Sequence, residues 1–246
     1  MSEFRFTRPD NFPPIVKNLI IINVLVYLAQ VLLDKQYAIT EKLMLWPAMP
    51  PQLHQWLVSQ GALSEVDKFQ PYQIATHMFA HSPGSLFHII FNMFALWMFG
   101  KVLENVWGQK RFLIFYLACG VGAAALHLAI QYFRCEQLWD AISSNNLAGI
   151  NKLIGGAAPA LGASGAVMGV MAAFAYTFPN TELYIMFIPF PIKAKWAVLG
   201  YAAIDLFGGV ANISGDNIAH FAHLGGAITG FIIVLTWNKT NRKTLY

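Results

Sequence analysis

The sequence predicts an all-α membrane protein with six transmembrane helices, and three observations carry that reading. Of 246 residues, 57% are hydrophobic and only 11% charged, against about a quarter charged in a soluble domain. Mean hydropathy is +0.49. Six segments are apolar over the roughly 20 residues needed to cross a hydrocarbon core about 30 Å thick. Within those segments, four strongly polar residues fall at one depth.

The expected spans are 14–33, 86–103, 112–133, 161–178, 194–211 and 218–237. None shows the alternation of a barrel strand, so helices are the spanning structure left. Residues 183–192 (LYIMFIPFPI) are apolar but short and proline-broken, and read as a connector at the membrane surface. The first span is followed by no small-residue cleavage site and reads as a retained helix rather than a signal peptide. Cys119 and Cys135, if on one continuous helix, stand about 24 Å apart, too far for a disulfide.

Charge sets the expected orientation. With the N-terminus inside, eleven of the sixteen Lys and Arg fall on inner segments and five on outer ones. That asymmetry favours cytoplasmic termini under the positive-inside rule, in what reads as a bacterial inner membrane. The net charge of +4 is thereby a matter of topology, with no nucleic-acid partner implied.

No internal repeat or low-complexity tract divides the chain, so residues 1–246 read as one membrane domain. The outer loop 34–85 is too long for a simple turn. Its WPAMPPQLHQWLVSQG stretch suits short segments among the lipid headgroups, with Trp46 and Trp56 as interfacial anchors. Residues 134–160 form a second outer loop, polar at SSNN and then rich in glycine.

Polar side chains are costly in hydrocarbon, so each one inside a span is a functional candidate. His88 and Asn92 lie in the second span, Ser164 opens the fourth, and His223 lies in the sixth. Even-numbered spans all start from the outer face, and all four residues sit within about two helical turns of it. His88 and Asn92, spaced i, i+4, share a helix face. Ser164 and His223 are each followed by small-xxx-small pairs, Gly165/Gly169 and Gly226/Gly230, which let membrane helices approach closely. On a regular helix Ser164 would point about 100–140° from its own glycines, so it is expected at the irregular start of its helix.

That set suits acyl transfer. A serine hydroxyl becomes an effective nucleophile when a base takes its proton, and a neutral histidine can do so and later protonate the leaving amine. Asn92, His88 and the Ser164 backbone N–H could donate to an oxyanion. Two histidines compete as base. At about 100° per residue His223 lies roughly 20° from Gly230, whereas His220 lies roughly 80° away, so His223 is the expected base and His220 belongs at the rim. Singly, each residue has a plainer role in helix packing; jointly, at one depth, they point to a site.

The ordered motifs resemble those of the rhomboid family of intramembrane serine proteases, from about residue 70 to 230. They are His88-Ile-Ile-Phe-Asn92, then Gly100/Glu104/Gly108, then Gly162-Ala-Ser164-Gly165, and finally Ala222-His223 ahead of Gly226 and Gly230. The resemblance implies a compact six-helix bundle with an outward-opening cavity above a short fourth helix. It implies a Ser164–His223 dyad without a catalytic acid, and an oxyanion hole of His88, Asn92 and the Ser164 N–H. Substrates would be transmembrane segments of other proteins, reaching the site laterally from the surrounding lipids past Phe91. No cofactor is implied.

Tyr72-Gln73 departs from the aromatic–Arg pair often found at that place in the family. His77 and His81 have metal-compatible i, i+4 spacing, but H-E-x-x-H is absent and no third ligand is evident, so no metal is expected. Asp205, inside the fifth span, is expected to form structural hydrogen bonds. Two other functions remain open at this point: a catalytically silent rhomboid-like protein that binds membrane clients, and a transporter whose polar groups line an ion path. The second lacks the inverted repeat and paired broken helices of transporters.

Overall fold

The computed structural model describes residues 9–153, 158–184, 189–211 and 220–240. The chain runs through α1 (Pro14–Tyr37), α2 (Ile39–Leu43), α3 (Pro51–Ser59), α4 (Gln73–Thr76), α5 (Leu86–Ala95), α6 (Lys101–Trp107) and α7 (Gln109–Ser143). It continues through α8 (Leu147–Leu153), α9 (Ser164–Thr177), β1 (Glu182–Leu183), β2 (Ile192–Lys193), α10 (Ala194–Ala211) and α11 (His220–Thr240). A π-helical turn over Leu96–Gly100 joins α5 to α6, so the two form one helical run.

Each expected span holds a helix, although 161–163 and 178 are not helical and residues 218 and 219 lie outside the described residues. Among the described residues four helical runs are long and apolar enough to cross a membrane: Pro14–Tyr37, Leu86–Trp107, Gln109–Ser143 and His220–Lys239. The expected span 161–178 holds a helix of 14 residues, about 21 Å long and short of the hydrocarbon core. The chain before it is non-helical, and Ser164 is the first helical residue, as its spacing from Gly165 and Gly169 required.

Large apolar side chains cover the outward faces of the long helices. Leu32 on α1 is 74% exposed and Phe207 on α10 is 70% exposed, with Leu25, Phe87, Leu199 and Ile204 similarly turned out. Apolar surface on that scale needs a bilayer over it. The protein is a multi-pass membrane protein.

The bundle closes around α9, which packs on α7 and α11 and touches α10 and the α5–α6 run. Gly226 and Gly230 of α11 stand directly against the Gly165 and Gly169 carbonyl oxygens of α9; a Cβ on Gly230 would come within 2.5 Å of the latter. Elsewhere in the bundle, Phe112, Phe115 and Tyr116 of α7 and Leu96 and Leu103 of the α5–α6 run are fully buried. Glu104 serves the start of α1: its Oε1 accepts from the Ile15 N–H at 2.9 Å and its Oε2 from the Val16 N–H at 2.8 Å. First-turn N–H groups lack intrahelical partners, so a buried carboxylate there satisfies two of them and meets the positive end of the helix dipole.

Two loop expectations change, and a third gains detail. The chain stays helical through Ser143, so 134–143 extends α7 to 35 residues and about 52 Å instead of forming a loop. Cys119 and Cys135 therefore do lie on one helix, both free and buried. Trp46 is only 6% exposed, and its indole N–H donates to the Glu41 carbonyl at 2.9 Å. It is a packing residue, turned into the protein rather than out as an anchor. Trp56 packs beside Leu53 and Leu57. Finally, the connector around 183–192 forms a two-stranded hairpin, Glu182 opposite Lys193 and Leu183 opposite Ile192, with residues 185–188 outside the described residues.

Gln73 carries the loop's anchoring where an arginine was absent. Its buried side-chain oxygen accepts from the Gln70 N–H at 3.0 Å and the Trp46 N–H at 3.3 Å. A neutral amide thus ties the loop without an ion pair. Leu45 and Ala160 exchange backbone hydrogen bonds of 2.7 and 3.0 Å, fixing the loop to the strand-like approach to Ser164.

Candidate active site

Gly162 shapes the approach to Ser164. Its φ of +129° is outside the range of ordinary side chains, and its N–H donates to the His77 carbonyl at 2.9 Å. A Cβ on it would come within 2.9 Å of His88 Nε2 and 3.5 Å of Ser164 Oγ. His88 and Ser164 therefore flank one small space kept open by the missing side chain. Immediately after, Gly165 lets α9 press against Ala123 and the Ala222 carbonyl, which brings the start of α9 beside α11.

That approach delivers the base. His223 Nε2 lies 2.7 Å from Ser164 Oγ, a hydrogen bond linking residues 59 apart in sequence. Ser164 is half-buried and His223 buried. The competing His220 is also buried and makes no such bond to the serine among the hydrogen bonds of the described residues; it is hydrogen-bonded instead through Nδ1, which lies 2.8 Å from Asp205 Oδ1.

The resemblance implied no acid beside the base, and Asp205 was expected in a structural hydrogen-bonding role rather than in a triad. Instead its Oδ1 and Oδ2 lie 3.1 and 3.2 Å from His223 Nδ1. Sequence position conceals this: Asp205 sits on another helix, 18 residues before His223. The one local signal was the recurrence of Tyr201, Asp205 and Gly209 at intervals of four, a helical face turned toward α11. The Tyr201 and His223 rings are 6.3 Å apart.

His88 presents a donor. Its Nδ1 accepts from the Ser82 N–H at 3.3 Å, which leaves the proton of the neutral ring on Nε2, the atom beside Gly162. Asn92 is buried, and one of its amide hydrogens is taken by the His88 carbonyl at 2.7 Å, leaving the second for another acceptor. Phe91, a half-exposed residue, stacks on Phe87 with ring centroids 5.9 Å apart on the outward face of α5.

His77 and His81 are structural in their contacts. His77 Nδ1 bonds the Gln73 carbonyl at 2.9 Å. His81 is fully buried, its ring edge-on to His88 at 5.1 Å, and its backbone N–H donates to Gln30 Oε1 at 2.9 Å. Burial lowers the pKa of His77; burial, then the neighbouring His88, push His81 down to about 4. No group of three His, Cys, Asp or Glu fit to hold a metal occurs among the described residues.

The comparisons with known proteins give the family. Residues 68–239 match the rhomboid domain, well over half of the chain. The mitochondrial presenilin-associated rhomboid-like protein of Rattus norvegicus is 31% identical over 182 residues, covering 73% of this chain and 42% of that protein. Its Homo sapiens counterpart is 34% identical over 168 residues, covering 65% of this chain and 38% of that protein. The rhomboid protease AarA of Providencia stuartii is 26% identical over 174 residues, covering 65% of this chain and 53% of that protein. This chain thus matches less than half the length of the mitochondrial relatives. With residues 68–239 matched to the rhomboid domain, the chain belongs to the rhomboid family.

Proposed function

We propose that the protein is an intramembrane serine endopeptidase that cleaves transmembrane segments of other membrane proteins, with Ser164 as nucleophile and His223 as base. The observation that carries this reading is the 2.7 Å hydrogen bond between Ser164 Oγ and His223 Nε2, held inside a membrane bundle. Ser164 Oγ attacks the scissile carbonyl carbon as its proton passes to His223 Nε2. The tetrahedral intermediate collapses, the C–N bond breaks, and His223 returns the proton to the leaving amine. Water then attacks the acyl-enzyme by the same route in reverse, with His223 again as base.

The oxyanion would be met by His88 Nε2–H, the free Asn92 amide hydrogen and the Ser164 backbone N–H, donors of the kind that stabilise developing charge in a water-poor site. Substrate would come from the lipid side past Phe91. The whole chain acts as one six-span domain, with both termini on the cytoplasmic side; the bias of Lys and Arg toward those segments supports this. The mitochondrial and bacterial relatives do not assign the membrane.

Purified protein and a transmembrane-segment substrate in detergent test the proposal. Wild type is expected to release two fragments, and folded Ser164→Ala to release none. Cleavage by the variant at the wild-type rate would remove the nucleophile; an intact substrate with both proteins would indicate a silent, client-binding relative.

A further inference from the structure

The dyad chemistry above uses no acid, yet Asp205 is buried at 3% exposure and engaged twice. His220 Nδ1 lies 2.8 Å from its Oδ1, and His223 Nδ1 lies 3.1 Å from the same oxygen. A carboxylate inside a membrane helix is costly, and its retention marks function more often than packing. Packing alone does not call for an acid on this face of α10.

The face itself is built to hold Asp205 in place. Tyr201, Asp205, Gly208 and Gly209 recur at helical spacing, and each meets α11. The Tyr201 ring lies beside that of His223. The His220 ring rests on Gly208, where a Cβ would come within 2.6 Å of it, and Phe221 rests on Gly209. Arg134 of α7 donates from Nη2 to the Gly209 carbonyl at 2.7 Å, pinning the end of the same face. Among the described residues, the titratable or charged groups around the carboxylate are thus His220, His223, Tyr201 and, one turn along, Arg134.

An ionised carboxylate only accepts hydrogen bonds, so each Nδ1 facing it carries a proton. His223 is then the Nδ1–H tautomer, and its Nε2 lone pair points at Ser164 Oγ. The other tautomer places a proton on Nε2 and cannot act as base. We propose that Asp205 is a positioning residue for hydrolysis, which fixes the tautomer and ring orientation of His223 and stabilises the imidazolium formed when it takes the Ser164 proton. His220 is the second donor that holds the carboxylate in register. The proton moves only between Ser164 Oγ and His223 Nε2. This rests on the endopeptidase reading above.

Steady-state cleavage of a transmembrane-segment substrate by wild type, Ser164→Ala, Asp205→Asn and His220→Gln tests it. An amide in place of the acid keeps the shape but can hold the imidazole in the wrong tautomer, which costs about 10⁴ in kcat in soluble serine proteases. Asp205→Asn is expected to lose on the order of 10²–10⁴ in kcat with KM unchanged. His220→Gln can still donate to Asp205 and is expected to stay within about tenfold of wild type. Wild-type kcat in Asp205→Asn overturns the proposal. So do equal losses in the two variants accompanied by a raised KM, which mark a packing role. If Asp205→Asn is not recovered folded, nitrogen-15 NMR of histidine-labelled wild type decides instead. Neutral His223 protonated on Nδ1 supports the proposal, and protonation on Nε2 overturns it. Cleavage by Ser164→Ala would instead remove the endopeptidase reading itself, whereas an inert Ser164→Ala beside a fully active Asp205→Asn removes only the role of Asp205.

Discussion

The carbonyl oxygen of Gly165 occupies the place where a side chain on Gly226 would have to stand. Two backbones in contact there set the separation of α9 from α11, and hence the reach of His223 to Ser164. A methyl group at residue 226 meets rigid backbone rather than a side chain that can turn away. Gly226→Ala is therefore expected to destabilise the protein by about 1–3 kcal/mol and to lower cleavage more than substrate binding. Gly200→Ala is the control, since nothing lies within 4 Å of a Cβ there, and it should be neutral or slightly stabilising. Thermal unfolding in detergent, read beside kcat, checks both.

The two histidines of α11 should separate cleanly. His223→Ala removes the only ring bonded to Ser164 among the described residues and is expected to abolish both proteolysis and labelling by a phosphonate probe. His220→Ala leaves that bond in place and should retain a measurable fraction of each. An active His223→Ala protein beside an inactive His220→Ala protein would reverse the assignment.

For the oxyanion donors, loss of one typically costs about 10²–10³ in rate. Asn92→Ala and His88→Ala are expected to slow turnover by that order while Ser164 still reacts with the probe, because its base is untouched. Wild-type turnover in both variants would reduce these residues to packing.

Acid sensitivity should trace in part to His81. Its folded pKa of about 4 lies below the unfolded value of about 6.5, so the unfolded chain binds the proton first as pH falls. Stability is then unaffected above about pH 6.5, declines below it, and levels off near pH 4 as the folded ring protonates too. The contribution is about 2 kcal/mol at pH 5. His81→Phe keeps the ring shape and should flatten this decline. Thermal midpoints between pH 7 and pH 4.5, wild type against variant, measure it; parallel curves would contradict the assignment.

Periodicity and motif spacing made much of this molecule legible. Apolar runs located the helices, and the offset of Ser164 from Gly165 and Gly169 placed it at a helix start. The stripe of Gly226 and Gly230 singled out His223 over His220, since a histidine on the close-packed side is the one a neighbouring serine can reach. What stayed hidden depended on pairing between distant segments. Asp205 reads as a lone polar residue until α10 is docked on α11. Trp46 has the composition of a membrane anchor until the loop folds inward and the Gln73 side chain, 27 residues on, accepts its backbone N–H. The extension of α7 through Ser143 was masked because polar residues leave a membrane at a helix's outer end without ending the helix.

The central claim is that His223 activates Ser164. Fluorophosphonate labelling of the purified wild-type protein, with the modified residue mapped by mass spectrometry, tests it most directly. The account predicts one adduct, on Ser164, absent from folded His223→Ala. An unlabelled Ser164 in wild type, or equal labelling when His223 is removed, would contradict it.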